Sequence, residues 1–420
     1  MNGRHVWLVQ IGESLPGLTG DERRLRTALL ADALVNLGHR VTWWASTFDH
    51  YAKRFVAQDE GRVAVREGLD LELLAGTAYG RNISPWRVLN HLQIARRFRV
   101  RSEAHAPRPD VIVASYPTVE LAAEAVRYAR QCGVSVVVDV RDLWPDAIVD
   151  LAPPAARPLV RAALRPMFAA ARRALGGASA LTAPSEGYLT WALARAERPR
   201  SAADRVFPLG YPELAVPSED AAGAGRRLAA LGVDPRRKIA LFVGMFGRTY
   251  DLTTVIEAAR RLRAQGRDDV QFVLSGAGDR DARWRAEAAG LDNVVFTGWV
   301  ARADIAYLLS VAWVGLAAYA RGAPQSLPNK PFEYMSAGLP VLSCLGAEAV
   351  ALLDRHGCGL SYRAGDAADL EAALSVLLRD PARHQAMREA SRAAFKASYS
   401  ADAVYAGMAN YVEAMAAGRP

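Results

Sequence analysis

The stretch that decides the fold reads PQSLPNKPFEYMSAGLPV and spans residues 324–341. A polar loop leads into a short predicted helix, Pro331–Ala337, which is followed by Gly-Leu-Pro and a predicted strand, Pro340–Cys344. The unpaired amides at the start of such a helix can bind a phosphate, and Lys330 would add a point charge. Glu333 could accept hydrogen bonds from a vicinal diol such as a ribose; a solvated helix carboxylate is the alternative interpretation.

Strands and helices alternate on both sides of this stretch, which implies right-handed βαβ units and parallel sheets. In the second half, the pattern predicts strands Lys238–Val243, Val270–Ser275, Val294–Thr297, Trp313–Ala317 and Pro340–Cys344, and helices Leu252–Gln265, Arg280–Ala289, Ala303–Leu309, Pro331–Ala337, Ala347–Arg355, Ala367–Arg379, Arg383–Ala397 and about Ala401–Ala416. In the first half, it predicts strands Val6–Ile11, Arg40–Ala45, Val63–Val65, Leu69–Leu74, Asp110–Ala114, Val134–Val138, Ala180–Ala183 and Val206–Pro208, and helices Asp21–Leu37, Thr118–Cys132, Arg157–Gly176 and Glu186–Glu197.

Prolines and glycines between residues 208 and 217, followed by a loose stretch over 218–225, predict a linker between the two halves. The fold class we expect is α/β, with two tandem Rossmann-like, doubly wound domains facing a cleft. The predicted parts are an N-terminal domain (1–213), a linker (214–237), a second domain (238–398) and a C-terminal helix (399–420) that crosses back to the first domain. In such folds, ligands bind outside the carboxyl ends of the strands.

The composition favours anionic partners. The 420 residues include 52 lysines and arginines, only four of them lysines, against 44 aspartates and glutamates, and the net charge is +8. This balance suits nucleic acid, a phosphorylated small molecule or an anionic membrane face. No apolar run is long enough for a transmembrane helix, the N-terminal run is too short for a signal peptide, and the three dispersed cysteines show neither a disulfide framework nor zinc spacing. We therefore expect a cytoplasmic protein.

Two glycine-containing loops follow predicted strands in the second half. In Val243–Asp251, glycines would let backbone amides approach an anion and Arg248 would add charge, although glycine for turn geometry alone is the alternative. Gly276–Asp279 is the second such loop. Neither these loops nor the loop after the first strand carries Gly-x-Gly-x-x-Gly, which argues against a nicotinamide-dependent dehydrogenase.

Five segments carry a resemblance to a known family: Leu34–Thr42 and Val138–Pro145 in the first half, and Gly244–Asp251, Phe296–Val300 and Pro328–Pro340 in the second. On these segments the chain resembles the family 4 glycosyltransferases, which have the two-domain GT-B fold. It is similar to the members that build bacterial O-antigen, capsule and exopolysaccharide.

The resemblance implies a nucleoside diphosphate sugar as donor, held mainly by the second domain. Glu333 matches the glutamate that grips the nucleotide ribose, and Val300 lies in the loop that meets the base. The other donor-binding residues are those in the segments that match the diphosphate loop and the glycine-containing loops: Ser326, Leu327, Asn329, Gly12 and Gly247. The resemblance also implies retention of the anomeric configuration and no metal or other cofactor.

Without a metal, the leaving diphosphate must be neutralised by cationic side chains and helix N-termini, and we expect Arg248 and Lys330 in this role. Arg141 and Asp142 are the candidates for orienting the donor sugar or the acceptor. The chain departs from the family pattern at several positions. Met245 and Tyr250 stand where an arginine and a lysine are usual, Gln325 replaces the first of two glutamates, and Arg141 replaces a common histidine.

Two further features concern the acceptor. His50 and Lys53 lie in a loop expected to face the cleft, where they would bind acceptor phosphate. The stretches Arg81–Arg108 and Arg157–Arg173 are rich in arginine, and a basic amphipathic helix suits an anionic membrane surface. A solvated arginine face over a core stripe is the alternative. We expect peripheral association with the inner face of the plasma membrane, and no nucleic-acid partner because no known binding module is present.

These observations predict a retaining, metal-independent hexosyltransferase. It would move a sugar from a nucleoside diphosphate to a saccharide or polyprenyl-diphosphate-linked acceptor in lipopolysaccharide or capsule synthesis. Two alternatives stay open. A UDP-sugar 2-epimerase on the same fold would need carboxylate and histidine machinery that the sequence does not reveal. A non-catalytic nucleotide- or glycan-binding partner of a transferase would explain Met245, Tyr250 and Gln325.

Overall fold

The computed structural model describes residues 3–19, 24–82, 84–213, 218–323 and 327–418. Within these described residues, the chain divides into two compact units. Unit 1 comprises Met1–Pro208 with Val404–Pro420, and unit 2 comprises Leu209–Ala403. Each unit contains a parallel sheet flanked by helices, so the predicted α/β class with two parallel-sheet domains is confirmed.

Unit 1 is built on a mostly parallel sheet. Its strands are β1 His5–Val9, β2 Arg40–Ser46, β3 Phe48–Asp49, β4 Arg54–Phe55, β5 Gly61–Arg66, β6 Leu69–Leu74, β7 Val111–Tyr116, β8 Ser135–Val140, β9 Ala180–Ala183 and β10 Arg205–Val206. Among the described residues, eight of them form one sheet in the order β10-β9-β8-β7-β1-β2-β6-β5, in which only β5 and β6 pair antiparallel. β3 and β4 form a separate antiparallel ribbon.

The helices of unit 1 cover both faces of this sheet. They are α1 Arg26–Asn36, α2 Pro85–Ala104, α3 Val119–Cys132, α4 Asp146–Asp150, α5 Arg157–Ala163, α6 Arg165–Gly177 and α7 Glu186–Ala196. The apolar run of β8 is buried, as expected for a strand covered on both faces. Aromatic rings fill the neighbouring core, where Trp7 stacks on Tyr128 with ring centroids 5.1 Å apart.

Unit 2 has a smaller sheet that is parallel throughout. Its strands are β11 Lys238–Val243, β12 Val270–Ser275, β13 Val294–Gly298, β14 Val314–Ala317, β15 Val341–Ser343 and β16 Gly359–Ser361, in the order β13-β12-β11-β14-β15-β16. Alternate residues of β11 belong to two different hydrophobic clusters: Ile239 and Leu241 to one, Ala240 and Phe242 to the other. Both faces of the sheet are therefore buried, which is the doubly wound arrangement.

The helices of unit 2 follow its strands along the chain. They are α8 Ser218–Ala230, α9 Leu252–Ala264, α10 Asp281–Glu287, α11 Arg302–Val311, α12 Asn329–Ser336, α13 Ala347–His356, α14 Ala367–Arg379 and α15 Pro381–Ala394, and a π-helical turn, Phe395–Tyr399, follows α15. The last helix of the chain, α16 Ala401–Ala416, begins in unit 2 and continues into unit 1.

The structure differs from the sequence prediction at several helices, among them α2, the predicted helix Arg157–Gly176 and α8. α2 lies in a stretch for which only basic character was noted, because its scattered arginines blur the helical periodicity. The single helix predicted over Arg157–Gly176 is interrupted at Leu164, since Pro166 cannot continue a helix that comes before it. The stretch expected to be a loose linker contains α8, in which Gly225 fits beneath the Tyr307 ring of α11.

Candidate active site

Three loops of unit 2 meet at the carboxyl edge of its sheet. The amide of Phe246, after β11, donates to the carbonyl of Ala277, after β12, over 2.8 Å. The amide of Arg280 donates back to the Phe246 carbonyl over 3.0 Å, and the amide of Gly276 donates to the carbonyl of Gly298, the last residue of β13, over 2.9 Å. This is the edge at which doubly wound folds bind their ligands.

Two glycines allow these loops to approach one another. Gly276 has a φ of +147°, and a methyl group there would overlap the carbonyl of Gly244. A methyl group at Gly278 would come within 3 Å of the Phe246 backbone. Gly247, which the sequence singled out, is less constrained: the nearest atom to an added methyl group would be 3.8 Å away. The loop contacts therefore depend on Gly276 and Gly278.

Exposed side chains project from these loops. Arg248 is exposed and makes no ion pair or hydrogen bond with the described residues, so its guanidinium can meet a ligand. Met245 is 65% exposed, and Trp299, beside the half-buried Val300, is 78% exposed. The carboxyl edge thus presents one cation and two large apolar groups.

Lys330 lies elsewhere than the sequence suggested. The residue is buried, and its ammonium donates to the carbonyl of Val243. Nζ lies 4.5 Å from the ring centre of Phe242 and 4.7 Å from that of Tyr250, at cation–π distance. A methyl group at Gly244 would overlap Nζ, so this glycine makes room for the ammonium. Lys330 therefore brings a positive charge next to Tyr250, the position at which the resembling family usually has a lysine.

Glu333 is oriented by a tyrosine. The hydroxyl of Tyr211 donates to Glu333 Oε1 over 2.6 Å, and Glu333 is half-buried on α12. Tyr211 is itself held on both sides, since its amide donates to the carbonyl of Tyr399 over 3.0 Å and its carbonyl accepts from the amide of Ala401 over 2.9 Å. Glu333 is consequently a positioned carboxylate, and the alternative of a solvated helix residue does not describe it.

The remaining donor-binding candidates lie near the start of α12, and some of them are not among the residues that the structure describes. Leu327 is half-buried, and Asn329 is exposed as the first residue of the helix. Among the described side chains, none caps the start of that helix. Gln325 and Ser326 lie outside the described residues.

In unit 1, the predicted residues also gather at the carboxyl edge of the sheet. Gly12, after β1, has a φ of +92°, and a methyl group there would lie 3.6 Å from Cβ of His50. His50 follows the short strand β3, and Asp142 follows β8. The structure thus brings together Gly12 and His50, which are far apart in the sequence.

Arg141 belongs to a buried ion network beneath this edge. Its guanidinium donates to Asp139 over 2.7 Å and to Glu13. Asp139 is also paired with Arg26 over 2.9 Å, and although burial works to raise the Asp139 pKa, the two arginines hold it well below its usual range. Glu13 accepts from the amide of Thr27 over 3.0 Å near the start of α1. Arg141 is therefore occupied by two carboxylates, directly before Asp142 in the chain.

His50 and Lys53 contact one tyrosine. His50 Nδ1 lies 2.7 Å from the hydroxyl of Tyr79, and Lys53 Nζ lies 4.8 Å from the centre of the Tyr79 ring. Lys53 Nζ also donates to Asn82 Oδ1 over 2.6 Å. Burial, followed by the nearby charges of Arg87 and Lys53, lowers the pKa of His50 to about 4. His50 is therefore neutral near pH 7.

Arg87 and Trp144 extend this cluster. The Arg87 guanidinium carbon lies 4.6 Å from the ring centre of Trp144, and the ring of His91 is 6.1 Å from the same indole. Burial raises the pKa of Asp142, whose Oδ1 accepts from the amide of Leu143 over 2.8 Å. Cationic, aromatic and carboxylate groups thus surround one edge of unit 1, a set of side chains that suits a polar or charged ligand.

Neither a metal-binding cluster nor a membrane-spanning helix occurs in the described part of the chain. No set of three or more histidine, cysteine, aspartate or glutamate side chains is arranged there to hold a metal ion. None of the helices there combines the length and apolarity that crossing a bilayer requires.

Family models match both halves of the chain. Residues 24–210 match a glycosyl transferase 4-like domain, and residues 237–380 match glycosyl transferases group 1. This chain belongs to the family 4-like glycosyltransferases. It is therefore an enzyme of the transferase class, and the match favours neither of the two alternatives left open by the sequence. No curated protein matches this glycosyltransferase significantly in sequence.

Solved structures show that this glycosyltransferase has the GT-B fold. Sucrose-phosphate synthase from Thermosynechococcus elongatus is similar with a TM-score of 0.68 at 19% identity, covering 99% of this chain and 100% of that one. Anabaena Alr3699/HepE in complex with UDP has a TM-score of 0.65 at 15% identity, covering 98% and 100%. WaaG, a glycosyltransferase involved in lipopolysaccharide biosynthesis, has a TM-score of 0.64 at 16% identity, covering 97% and 99%.

Sequence reasoning missed several residues of this glycosyltransferase's candidate site. These are Tyr79, Arg87, His91 and Trp144 in unit 1 and Tyr211 in unit 2. A signal for two of them existed, because Ser84-Pro85 is typical of a helix start and places Arg87 and His91 one turn apart on α2. Tyr79 and Tyr211 lie in irregular segments, where no periodic pattern reveals their neighbours.

Proposed function

We propose that this glycosyltransferase transfers a sugar from a nucleoside diphosphate to a saccharide acceptor, with retention of the anomeric configuration, in cell-surface polysaccharide synthesis. One observation carries the donor assignment. Glu333 is held by Tyr211 at the carboxyl edge of unit 2, one turn into a helix whose start carries no side-chain cap. A fixed carboxylate beside unpaired helix amides suits a ribose diol joined to a diphosphate.

The donor would extend along the carboxyl edge of unit 2. The base would lie against the loop of Val300, and the ribose hydroxyls would donate to Glu333. The diphosphate would meet the amides of the Gly244–Asp251 loop, the exposed guanidinium of Arg248 and the field of Lys330. The solved structure of Anabaena Alr3699/HepE with UDP supports a nucleotide donor for this fold.

The proposed chemistry needs no protein nucleophile and no metal. As the glycosidic bond to the diphosphate breaks, negative charge grows on the leaving oxygen, and Arg248 and Lys330 stabilise it. The departing oxygen takes the proton of the acceptor hydroxyl, which attacks the same face of the sugar. Asp142 and His50 in unit 1 orient the acceptor, and Arg141 positions Asp142 indirectly through the network with Glu13 and Asp139.

A direct experiment tests this function. The purified protein is incubated with a panel of nucleoside diphosphate sugars and a membrane extract that supplies acceptors, and the product is analysed by NMR. We expect one donor to be consumed only when acceptor is present, and its sugar to keep its anomeric configuration. An inverted product would contradict the retaining mechanism, and turnover of the donor without acceptor would contradict transfer.

Peripheral membrane association is part of the proposal. Unit 1 exposes apolar residues beside arginines, because Leu151 precedes α5 and Leu159 lies on it. A groove of about 720 Å³ is lined by arginines and an aromatic residue, namely Arg161, Arg165, Phe168, Arg172, Arg173 and Arg195. Some of this charge is compensated, because Arg161 pairs with Asp146 over 3.3 Å. An exposed apolar rim with excess arginine suits an anionic lipid surface.

Liposome sedimentation tests the membrane assignment. Replacing Arg161, Arg165 and Arg172 with glutamine removes three charges from the groove, at roughly 1 kcal/mol of attraction each. We expect weaker sedimentation with anionic vesicles and no change with neutral ones. The control replaces three exposed arginines of unit 2, Arg260, Arg283 and Arg285, with glutamine. Equal sedimentation of the groove variant and the wild type would contradict the assignment.

A further inference from the structure

Arg87 is a partly buried cation without a carboxylate partner among the described residues. Its Nη1 donates to the carbonyl of Asn82 over 2.8 Å, and its buried Nε has no hydrogen-bond partner. Asp142 acts on it only from beyond ion-pair distance. Arg26 and Arg141, two other arginines of the same unit, are each paired with Asp139. Arg87 therefore differs from them, because no described carboxylate forms an ion pair with it although it is partly buried.

Lys53 is a second cation near Arg87. It forms no ion pair with a described residue, and its Nζ donates to the amide oxygen of Asn82. Its backbone has a φ of +54°, in the left-handed region that a non-glycine residue rarely adopts. Such strained positions concentrate at functional sites. The two cations are close enough for Arg87 to lower the pKa of Lys53, after the larger effect of burial.

The pKa of His50 is lowered in part by the same two cations. Its pKa of about 4 results from burial and from repulsion by Arg87 and Lys53, which together outweigh the opposing effect of Asp49. Asp49 is already engaged, because its Oδ1 accepts from the amides of Tyr51 and Ala52. Two cations and a neutral imidazole thus meet at the carboxyl edge of unit 1, and no described carboxylate forms an ion pair with either cation, since Asp49 and Asp142 act on them only from beyond ion-pair distance.

We propose that the Arg87 cluster, defined as His50, Lys53, Tyr79, Arg87 and Trp144, binds a phosphate or diphosphate group of the acceptor. The inference rests on the proposed function, since it names the chemical class of acceptor that unit 1 takes. The Arg87 guanidinium, whose carbon lies 4.6 Å from the ring centre of Trp144, would offer one positive charge to the phosphate, and Lys53 would offer a second. The phosphate belongs either to a soluble sugar phosphate or to a lipid-linked diphosphate.

Calorimetry with phosphorylated probes tests the cluster. The titrants are hexose 6-phosphate and farnesyl diphosphate, both in saturating UDP so that the donor positions of unit 2 are filled. We expect Arg87→Gln to weaken binding of the preferred probe by about tenfold to a hundredfold, the range of a hydrogen bond between charged groups. The matched control is Arg96→Gln, an exposed arginine on the same helix. Unchanged affinity in Arg87→Gln, or an equal loss in the control, would overturn the inference.

Two further readouts make the test decisive. NMR titration of His50 should show its pKa rising when the phosphorylated probe binds, because a nearby anion stabilises the imidazolium. Asp49, Tyr79, Arg87 and His91 also lie near His50, so the titration is repeated in Lys53→Gln. An unmoved His50 pKa would overturn the inference. Preference for hexose 6-phosphate identifies a soluble acceptor, and preference for farnesyl diphosphate a lipid-linked one. Intact UDP binding without probe binding defeats this inference alone, whereas absent UDP binding defeats the proposed function.

Discussion

At the scale of single residues, the proposed donor site of unit 2 depends on how two charged side chains are held. Glu333 is fixed by the hydroxyl of Tyr211, and Lys330 is fixed beneath the Gly244 loop by a carbonyl and two aromatic rings. Both arrangements restrict the charge before a ligand arrives, which lowers the entropic cost of binding. Each can be tested by a substitution that leaves the charged residue itself in place.

Tyr211→Phe removes the hydrogen bond that orients Glu333. A net contribution of about 1 kcal/mol predicts a loss of roughly fivefold in UDP affinity, while the turnover number stays near that of the wild type. The comparison is Tyr411→Phe, which removes a hydroxyl that donates to the carbonyl of Ala203 over 2.8 Å in unit 1. Steady-state kinetics and calorimetry on both variants give the answer, and equal UDP affinity in the wild type and Tyr211→Phe would refute the positioning role.

Gly244→Ala places a methyl group where the ammonium of Lys330 lies. Since an ammonium held by a carbonyl and two rings has little room to move, we expect a loss of about 1–3 kcal/mol in unfolding free energy, together with weaker UDP binding. Gly346→Ala is the matched control, because an added methyl group meets no atom within 4 Å there. Urea unfolding and calorimetry measure the two effects, and indistinguishable variants would show that Lys330 can be displaced freely.

At the scale of elements, polar networks fasten the ends of several strands of unit 1. Asp204, before β10, accepts from Arg198 over 2.6 Å and from the amide of Leu181 in β9 over 2.8 Å. Asp139 in β8 accepts from Arg26 in α1 and from the hydroxyl of Thr182 in β9 over 2.9 Å. These contacts tie the start of β9 to the start of β10, and tie β8 to β9 and α1, within the sheet of unit 1.

The Asp204 contacts predict a dependence of stability on pH. Burial works to raise the Asp204 pKa, but hydrogen bonds from Arg198, Ser201 and Leu181 lower it to about 2. Because the Asp204 pKa is lower in the folded state than in the unfolded state, the ionised carboxylate stabilises the folded protein at pH values above the unfolded-state pKa of about 3.9. This stabilisation is lost as the pH falls towards 2. Asp204→Asn should therefore be less stable at pH 7 and lose less stability on acidification.

Urea unfolding at pH 7, 4 and 3 measures this dependence, with the exposed Asp59→Asn as control. We expect the control to follow the wild type at every pH. A wild-type and an Asp204→Asn curve that fall in parallel on acidification would show that the carboxylate of Asp204 contributes nothing to acid stability.

At the scale of the whole molecule, the sequence predicts the alternating architecture well because buried parallel strands are continuous apolar runs. Ala367–Arg379 and Leu69–Leu74 are predicted with the observed bounds. α8 is not predicted, since Gly223 and Gly225 mask a helix that tertiary packing stabilises. The local sequence pattern thus predicts strands and helices whose residues are continuously or periodically apolar. It misses a helix such as α8, whose stability depends on packing against another part of the fold.

The candidate site is predicted only in part, for a related reason. Glu333 and Arg248 follow from a local motif, and the structure shows one positioned and the other exposed. The Arg87 cluster joins residues from three separate segments of unit 1, and only the three-dimensional arrangement shows that Arg87 lacks a carboxylate partner. Lys330 is found by its motif, but its inward orientation depends on Gly244 and on two rings elsewhere in the sequence.

The central claim is that unit 2 binds the nucleotide of the donor through Glu333. Titration of UDP into the wild type, Glu333→Gln and the exposed helix variant Glu389→Gln, followed by calorimetry, tests it most directly. We predict that Glu333→Gln weakens UDP binding by about tenfold to a hundredfold, because a hydrogen bond to a charged group is lost, and that Glu389→Gln binds as the wild type does. Equal UDP affinity in all three proteins would contradict the claim.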